Sequence, residues 1–194
     1  MYHPFWYFLG STFAEVPYVL VSTLVFTVIF FPFVGFVGFA DGVVYWLTTA
    51  VVVLLMTYMG QLLAYAMPSV EVAAIMGVLL NSVYFLFMGF NPPAANIPRG
   101  YKWLYYITPQ RYALDNLIAL AFGKCESPGD IGCQTMRNAP VTMSADMTIQ
   151  AYIKRVFDAD RDDIPRNFGI MIAFIVFFRF LALLCLRYVN HTKR

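Results

Sequence analysis

The first half of this sequence has almost no charge. Between Glu15 and Arg99, only Asp41 and Glu71 carry charged side chains. The three uncharged runs that result are residues 16–40, 42–70 and 72–98. A helix of about 20 apolar residues crosses a bilayer core, and a charge at its middle costs about 2.5–3.5 kcal/mol. Each run is long enough to cross, so the sequence predicts an integral membrane protein.

The sequence is also poor in the residues that catalysis and metal binding require. It has no G-x-x-x-x-G-K-[ST] motif, because its one Gly-Lys pair, Gly123–Lys124, continues into Cys125. His3 and His191 lie at opposite ends of the chain and form no paired-ligand pattern. We therefore expect no catalytic residue, no metal site and no ATP bound by this chain through a P-loop. The net charge of +2 is too small to indicate a nucleic-acid partner.

What the sequence does contain is four apolar segments and one long polar segment. Hydrophobic residues make up 60% of the chain and charged residues 12%, against about 25% charged in soluble domains. The pattern predicts an all-α polytopic membrane protein, whose first three helices are antiparallel because their connections are short. The expected parts are an interfacial segment at 1–15, spans at 16–39, 44–66, 72–90 and 168–189, a loop at 91–167 and a tail at 190–194.

The long loop has structure of its own. Aromatic residues beside basic ones at 101–107 predict a segment at headgroup depth, and the apolar stretch 112–122 predicts one that dips into the membrane without crossing. A later helix is predicted from an apolar face of helical period, with Asp146 or Thr148 as its N-cap. The residues of that face are Ile149, Tyr152, Ile153, Val156 and Phe157.

The orientation of the spans is indicated by basic residues near the carboxyl end. Arg187, Lys193 and Arg194 cluster there, which favours a cytoplasmic C-terminus. Four spans then place the N-terminus inside the cell and the long loop outside it. The basic residues of the loop do not oppose this orientation, because long loops translocate largely regardless of charge.

Three features each have two interpretations. Cys125 and Cys133 flank a segment rich in turn residues, so we expect an extracellular disulfide rather than two free thiols. Arg179 is the one charge well inside a predicted span. It is a candidate functional group, but we expect its side chain to snorkel towards the inner headgroups. Asn81 and Ser82 either join neighbouring helices or face a substrate cavity, and the residues alone leave both open.

Four stretches of the chain carry a resemblance to a known family. They are FAEVPYV from residue 13, FMGF from residue 87, IP-x(5)-LYYITP from residue 97 and RYVNHTKR from residue 187. In this order and spacing the chain resembles the C-terminal transmembrane domain of ATP-binding-cassette exporters of the G subfamily, pleiotropic-drug-resistance branch. The resemblance extends over nearly the whole chain.

The resemblance implies a place for each span and a role for several residues. The four spans would be spans three to six of a six-span domain, and two such domains would face each other around a central cavity. The third span of this chain would line that cavity, with Val78, Asn81, Ser82 and Phe85 near a hydrophobic or amphipathic substrate.

The resemblance also implies an external gate and a cap. Phe90 and Asn91 occupy the gate positions, although Asn91 is polar where the family has a bulky apolar residue. The long loop would be the extracellular cap, with Cys125–Cys133 as its internal bridge. The implied partners are a nucleotide-binding domain, which would hold ATP and Mg outside this chain, and the opposing transmembrane domain. The implied location is the plasma membrane.

Three functions are therefore compared. The first is the membrane part of an ATP-driven exporter, and for this one we expect the chain to be a fragment of a longer reading frame. The second is an independent four-span protein that acts as partner or regulator of a complete transporter. The third, an ion-coupled carrier or channel, predicts paired carboxylates or rings of charge within spans, and the first three predicted spans have none.

Overall fold

The computed structural model describes residues 4–36, 38–136 and 147–189. Over these residues the secondary structure is helical, apart from one isolated bridge between Thr135 and Thr148. The α-helices in chain order are α1 (Pro4–Phe33), α2 (Phe39–Ala66), α3 (Val70–Phe87), α4 (Lys102–Ile107), α5 (Pro109–Phe122), α6 (Ile149–Phe157) and α7 (Ile164–Tyr188). The prediction of an all-α fold is confirmed for the described part of the chain.

Four helical stretches are long and apolar enough to cross a membrane. They are Phe8–Phe33, Phe39–Ala66, Val70–Phe87 and Arg161–Tyr188, with mean hydropathies of 2.1, 1.8, 1.9 and 2.6. The predicted number of spans is therefore confirmed. The predicted tail at 190–194 lies outside the described residues.

The first helix begins earlier than the sequence indicated. Residues 1–15 were expected to form an interfacial segment, but α1 runs without a break from Pro4 to Phe33. Pro17 accordingly lies inside the helix rather than in its first turn. A proline at that position removes one backbone hydrogen bond without ending the helix, and membrane helices tolerate such a loss.

The connection between α1 and α2 also differs from the expectation. A turn was expected near Asp41, but α1 ends at Phe33 and Asp41 lies in the first turn of α2. Gly35 and Gly38 have φ angles of 81° and 118°, which residues with a side chain rarely adopt; Gly35 follows the end of α1 and Gly38 is the N-cap of α2. Glu71 likewise falls in the first turn of α3, where a negative charge is favourable to the helix dipole.

The chain divides into two compact units whose boundaries fall inside α3 and α7. The first, called the membrane unit here, consists of Met1–Val83 and Ile170–Arg194. Its core contains Val19 from α1 with Leu54 and Tyr58 from α2. The indole Nε1 of Trp46 adds a hydrogen bond to the carbonyl of Leu20, at 3.1 Å. Three spans are thereby packed by apolar contacts, since Ile175 of α7 also lies against this core.

The second unit, called the loop unit here, consists of Tyr84–Gly169. Its largest apolar core joins Ala119 of α5 to Ile153 of α6 and to Ala159. The helix predicted from the five-residue apolar face is confirmed as α6, with Ile153 buried. Thr148 is its N-cap and accepts a hydrogen bond from the backbone N–H of Ala151, whereas the alternative cap, Asp146, lies outside the described residues.

Candidate functional site

The residues expected near substrate lie along one row of α3. Val78, Asn81 and Ser82 occupy positions i, i+3 and i+4, and Phe85 follows at i+7. All four are exposed, Val78 by 67% and Phe85 by 56%. The Ser82 hydroxyl donates to the carbonyl of Val78 at 2.8 Å, so its own hydrogen bond is made within the helix. The row therefore offers apolar and aromatic surface with an amide near its middle.

Helix α3 is also the span with the least buried surface. Of the residues in its apolar window only 6% are buried, against 17–22% in the other three spans. Ala73 is the one fully buried residue of α3. Since little of this helix packs against described residues of the chain, its surface is available for lipid, for substrate or for another polypeptide.

The two expected gate residues lie in the loop unit, just beyond the end of α3. Phe90 is 53% exposed, and its ring stacks on that of Phe157 with 6.2 Å between centroids. Asn91 is exposed. Gly89 has a φ of 93°, and a side chain there would meet the Tyr105 ring at 2.7 Å, so the backbone must pass close to that ring. Glycine is thus required immediately before Phe90.

The expected cysteine pair closes a short segment of the loop unit. Cys125 and Cys133 form a disulfide with their Cα atoms 4.9 Å apart. Inside this segment the carboxylate of Asp130 accepts hydrogen bonds from the backbone N–H groups of Glu126 and Ser127, at 2.9 and 3.0 Å. These bonds favour the ionised form and hold the pKa of Asp130 below its usual range. The turn is therefore fixed by a covalent bond and by a charged side chain.

An arginine that the sequence did not single out lies buried on α5. Arg111 is 4% exposed, and its Nε bonds to the Asp115 carboxylate at 3.2 Å while Nη2 bonds to Asp158 at 3.3 Å. Its guanidinium carbon lies 3.8 Å from the centroid of the Tyr105 ring. Burial raises the pKa of Asp115 to about 7, against the lowering effect of Arg111. Arg111 therefore connects α5 to the end of α6.

Arg179 of α7 does not snorkel, so that expectation was wrong. It is 8% exposed, and its Nη1 and Nη2 donate to the side-chain carbonyl of Gln61 at 2.5 Å and to the Phe8 carbonyl at 3.1 Å. The guanidinium carbon lies 3.9 Å from the Phe8 ring centroid and 4.4 Å from that of Tyr58. Gln61 in turn donates to the Glu15 carboxylate. Because Phe8 and Tyr58 are buried and Gln61 is partly buried, the guanidinium is bound inside the protein instead of at the headgroups. Its Nε has no hydrogen-bond partner among the described residues.

The described residues contain no group of three His, Cys, Asp or Glu side chains that could hold a metal ion. Each of the two units instead has one buried arginine with oxygen and aromatic partners, and the loop unit also has a buried hydrogen bond from Asn167 to Asn116.

Comparison with known proteins gives the family. Residues 1–122 match the family model described as "ABC-2 type transporter", and residues 133–194 match the one described as "CDR ABC transporter". The chain belongs to the ABC-2 type transporter family. The curated relatives include ABC transporter G family members 35 and 36 of Arabidopsis thaliana, which are 28% and 29% identical over the whole of this chain. Member 38 of Oryza sativa subsp. japonica is 27% identical over the same extent.

The match to these ABC transporters covers a small part of each of them. The chain spans 13% of the length of the two Arabidopsis proteins and 12% of the rice protein. Both matching family models describe ABC transporters, and together with the G-family relatives they confirm the resemblance to the G subfamily seen in the four sequence stretches. The chain is thus an integral membrane segment of ABC-2 type.

The partners of the two buried arginines could not be identified from the sequence. The partners of Arg179 lie 118 and 171 positions away, at Gln61 and Phe8, and Asp158 lies 47 positions from Arg111. The one local signal is Asp115, four residues after Arg111 on the same helix, which is the spacing of an ion pair.

Proposed function

We propose that this chain forms part of the transmembrane domain of an ATP-driven exporter of hydrophobic or amphipathic compounds, which works by alternating access. The observation that carries the proposal is the exposed row of α3 with Val78, Asn81, Ser82 and Phe85. Amphipathic ligands need a large apolar contact surface with few directional hydrogen bonds, and this row has that composition. Membership of the ABC-2 type family supports a transport role.

The loop unit would then be the extracellular cap, and Phe90 with Asn91 the external gate. The Phe90 ring stacks on the ring of Phe157, the last residue of α6, so a movement of α6 would change the position of Phe90. The Cys125–Cys133 bridge would keep the cap ordered in an oxidising exterior. The plasma membrane is the proposed location.

Energy would come from a nucleotide-binding domain that holds ATP and Mg, and the cavity would be completed by an opposing transmembrane domain. Both are proposed partners. They fit the family and the fact that the chain spans 13% of its relatives' length. A small hydrophobic or amphipathic molecule is the third proposed partner, and no nucleic acid is expected.

The complete assembly is recovered by means of a tag on this chain. Transport is then measured in inside-out membrane vesicles that contain this assembly. ATP-dependent uptake of a panel of amphipathic dyes is expected, and Phe85→Ala should change the order of preference among the dyes at normal protein abundance. Val83→Ala is the matched control, because Val83 is a partly exposed apolar residue on another face of α3. Equal loss for every dye would make Phe85 a packing residue.

Recovery of the tagged chain without any ATP-binding polypeptide, or uptake that does not depend on ATP, would contradict the exporter proposal. Recovery with a transporter that still exports when the chain is removed would favour the partner or regulator function.

A further inference from the structure

Phe90, one of the two proposed gate residues, is supported from two directions. Its ring stacks on that of Phe157, with 6.2 Å between the centroids and 24° between the ring planes. Its backbone is placed by the preceding residue, because Gly89 passes so close to Tyr105 that a Cβ there would lie 2.7 Å from a carbon of the Tyr105 ring. The position of the Phe90 side chain therefore depends on where Tyr105 and Phe157 lie.

Both of these supports lead to Arg111. On one side, its guanidinium carbon lies 3.8 Å from the centroid of the Tyr105 ring. On the other side, its Nη2 bonds at 3.3 Å to the carboxylate of Asp158, which directly follows Phe157 in the chain. A planar guanidinium can stack on an aromatic ring with its face while it donates hydrogen bonds from its edge. One side chain thus contacts both supports of Phe90.

These contacts close a circuit within the loop unit, called the contact ring here. Its members are Gly89, Phe90, Tyr105, Arg111, Phe157 and Asp158. Arg111 and Tyr105 are buried, and Tyr105 packs against Ala94 and Ile97. Phe90 is about half exposed. The buried members are therefore fixed by packing, and the exposed gate residue takes its position from them.

The backbone at Asp158 fits this role of its carboxylate. Helix α6 ends at Asp158 with a φ of 60°, which is the left-handed region. Glycine is the usual residue in this conformation at the end of a helix, and aspartate adopts it less readily. Aspartate differs from glycine here by a carboxylate, and that carboxylate binds Arg111.

We propose that Arg111 is a positioning residue of the external gate, which sets the place of the Phe90 ring through Tyr105 on one side and through Asp158 on the other. This role rests on the gate function proposed for Phe90. The position of the Phe90 ring can nevertheless be measured without any transport, so the two can be tested separately.

The position of the ring is measured by fluorine NMR of the 194-residue chain in nanodiscs, with para-fluorophenylalanine in place of Phe90. The resonance reports the stacking on Phe157, because the ring current of a neighbouring aromatic side chain shifts it. Asp158→Gly removes the carboxylate at a position whose backbone glycine adopts readily, so the chain should fold. The resonance should then move by more than its linewidth.

The matched control is Asp162→Gly, which removes an exposed carboxylate four residues later and should leave the resonance in place.

A second pair of variants tests the other support of Phe90. Arg111→Lys keeps a positive charge beside Asp158 but loses the planar group that stacks on the Tyr105 ring. The resonance at position 90 should move again, whereas Arg155→Lys, at an exposed residue of α6, should not move it. A second sample carries the fluorinated residue at Phe122, near the end of α5, and reports whether the loop unit stays folded. Its resonance should not move in any of these variants.

The gate function of Phe90 is measured separately, in the inside-out vesicles that contain the complete assembly. The proposed gate faces the vesicle lumen, so a displaced Phe90 should let accumulated dye return. Asp158→Gly should raise the leak of dye from loaded vesicles without ATP about threefold, as expected for the loss of one aromatic pair. The dye concentration that gives half-maximal uptake should stay the same, because no residue of the α3 row is substituted.

Two results would overturn the positioning role of Arg111, whatever the vesicles show. The first is an unmoved resonance at position 90 in either Asp158→Gly or Arg111→Lys. The second is equal movement at positions 90 and 122, because Arg111 would then act on the fold of the whole loop unit. Movement at position 90 alone supports the positioning role, and an unchanged leak beside it would contradict the gate function of Phe90 instead.

Discussion

Each unit buries one arginine against aromatic rings, but the two arginines have different partners. In the loop unit Arg111 pairs directly with the carboxylates of Asp115 and Asp158. In the membrane unit Arg179 donates to two neutral oxygens, on Gln61 and Phe8. Without Arg111, the carboxylate of Asp115 would be a buried charge with no cation beside it. Without Arg179, the neutral oxygens of Gln61 and Phe8 would each lose only a hydrogen bond. Removal of the buried arginine is therefore expected to cost more stability in the loop unit than in the membrane unit.

The largest effect is expected from removal of Arg111. Arg111→Met leaves Asp115 buried without its cation, and at pH 8, where the parent's Asp115 is ionised, breaking such a pair costs about 3–5 kcal/mol. The free energy of local opening of α5 and α6, measured by amide hydrogen exchange, should fall by this amount. Arg155→Met is the control, because Arg155 is exposed on α6, and it should stay within about 0.5 kcal/mol.

The pH dependence sharpens this prediction. Because burial raises the pKa of Asp115 to about 7, above the unfolded value of about 3.9, the folded state holds the proton between these values. Stability contributed by this group is therefore present at low pH and lost as the pH rises towards 7. Without Arg111 the pKa rises further, so the defect of Arg111→Met should be larger at pH 8 than at pH 5. An equal defect at both would show that Asp115 does not depend on Arg111.

An intermediate effect is expected from the disulfide, for which the membrane unit has no counterpart among its described residues. Cys133→Ser frees a loop closed over 8 positions, and the chain-entropy relation gives a loss of about 2–3 kcal/mol for it. After cleavage within residues 126–132, the parent should differ in mobility between reduced and oxidised samples, and Cys133→Ser should not. Cys185→Ser, at the free cysteine of α7, should behave as the parent. A parent without any such difference has no bridge.

The smallest effect is expected from Arg179. Arg179→Met leaves the oxygens of Gln61 and Phe8 unpaired but also removes a buried charge, so we expect a net loss of about 1–2 kcal/mol. Unfolding in mixed micelles with increasing dodecyl sulfate would measure it, with Arg187→Met, an exposed residue of the same helix, as the control. A loss of stability as large as that of Arg111→Met would show that the two buried arginines do not differ in their contribution to stability.

Several elements could be predicted because their signals are local. The scarcity of charge between Glu15 and Arg99 determines the first three spans, since burial in lipid excludes charged side chains. Helix α6 follows from the period of five apolar residues, and one of its two candidate caps, Thr148, is the N-cap. The end of α1 was placed incorrectly, because the strong apolar signal continues past Gly35 and only the backbone angle there ends the helix.

In the candidate site, too, some features follow from local sequence and others depend on how the helices pack. Four residues at helical spacing share a face of α3 whatever the rest of the chain does, and their place near substrate, which the resemblance implies, stays a prediction. The surroundings of Arg111 and of Arg179 could not be predicted, because they depend on which helices pack together.

The sequence by itself determined that this protein is a four-span membrane protein and which residues lie along each helix, because hydropathy and helical period act over a few neighbouring residues. Only the tertiary structure decided that Arg179 is buried beside Gln61, 118 positions away, and that Arg111 is bonded to Asp158, 47 positions away. Contacts at such separations depend on the packing of whole helices, and many packings satisfy the same apolar pattern. That is the physical reason why the spans could be predicted from the chain and their polar partners could not.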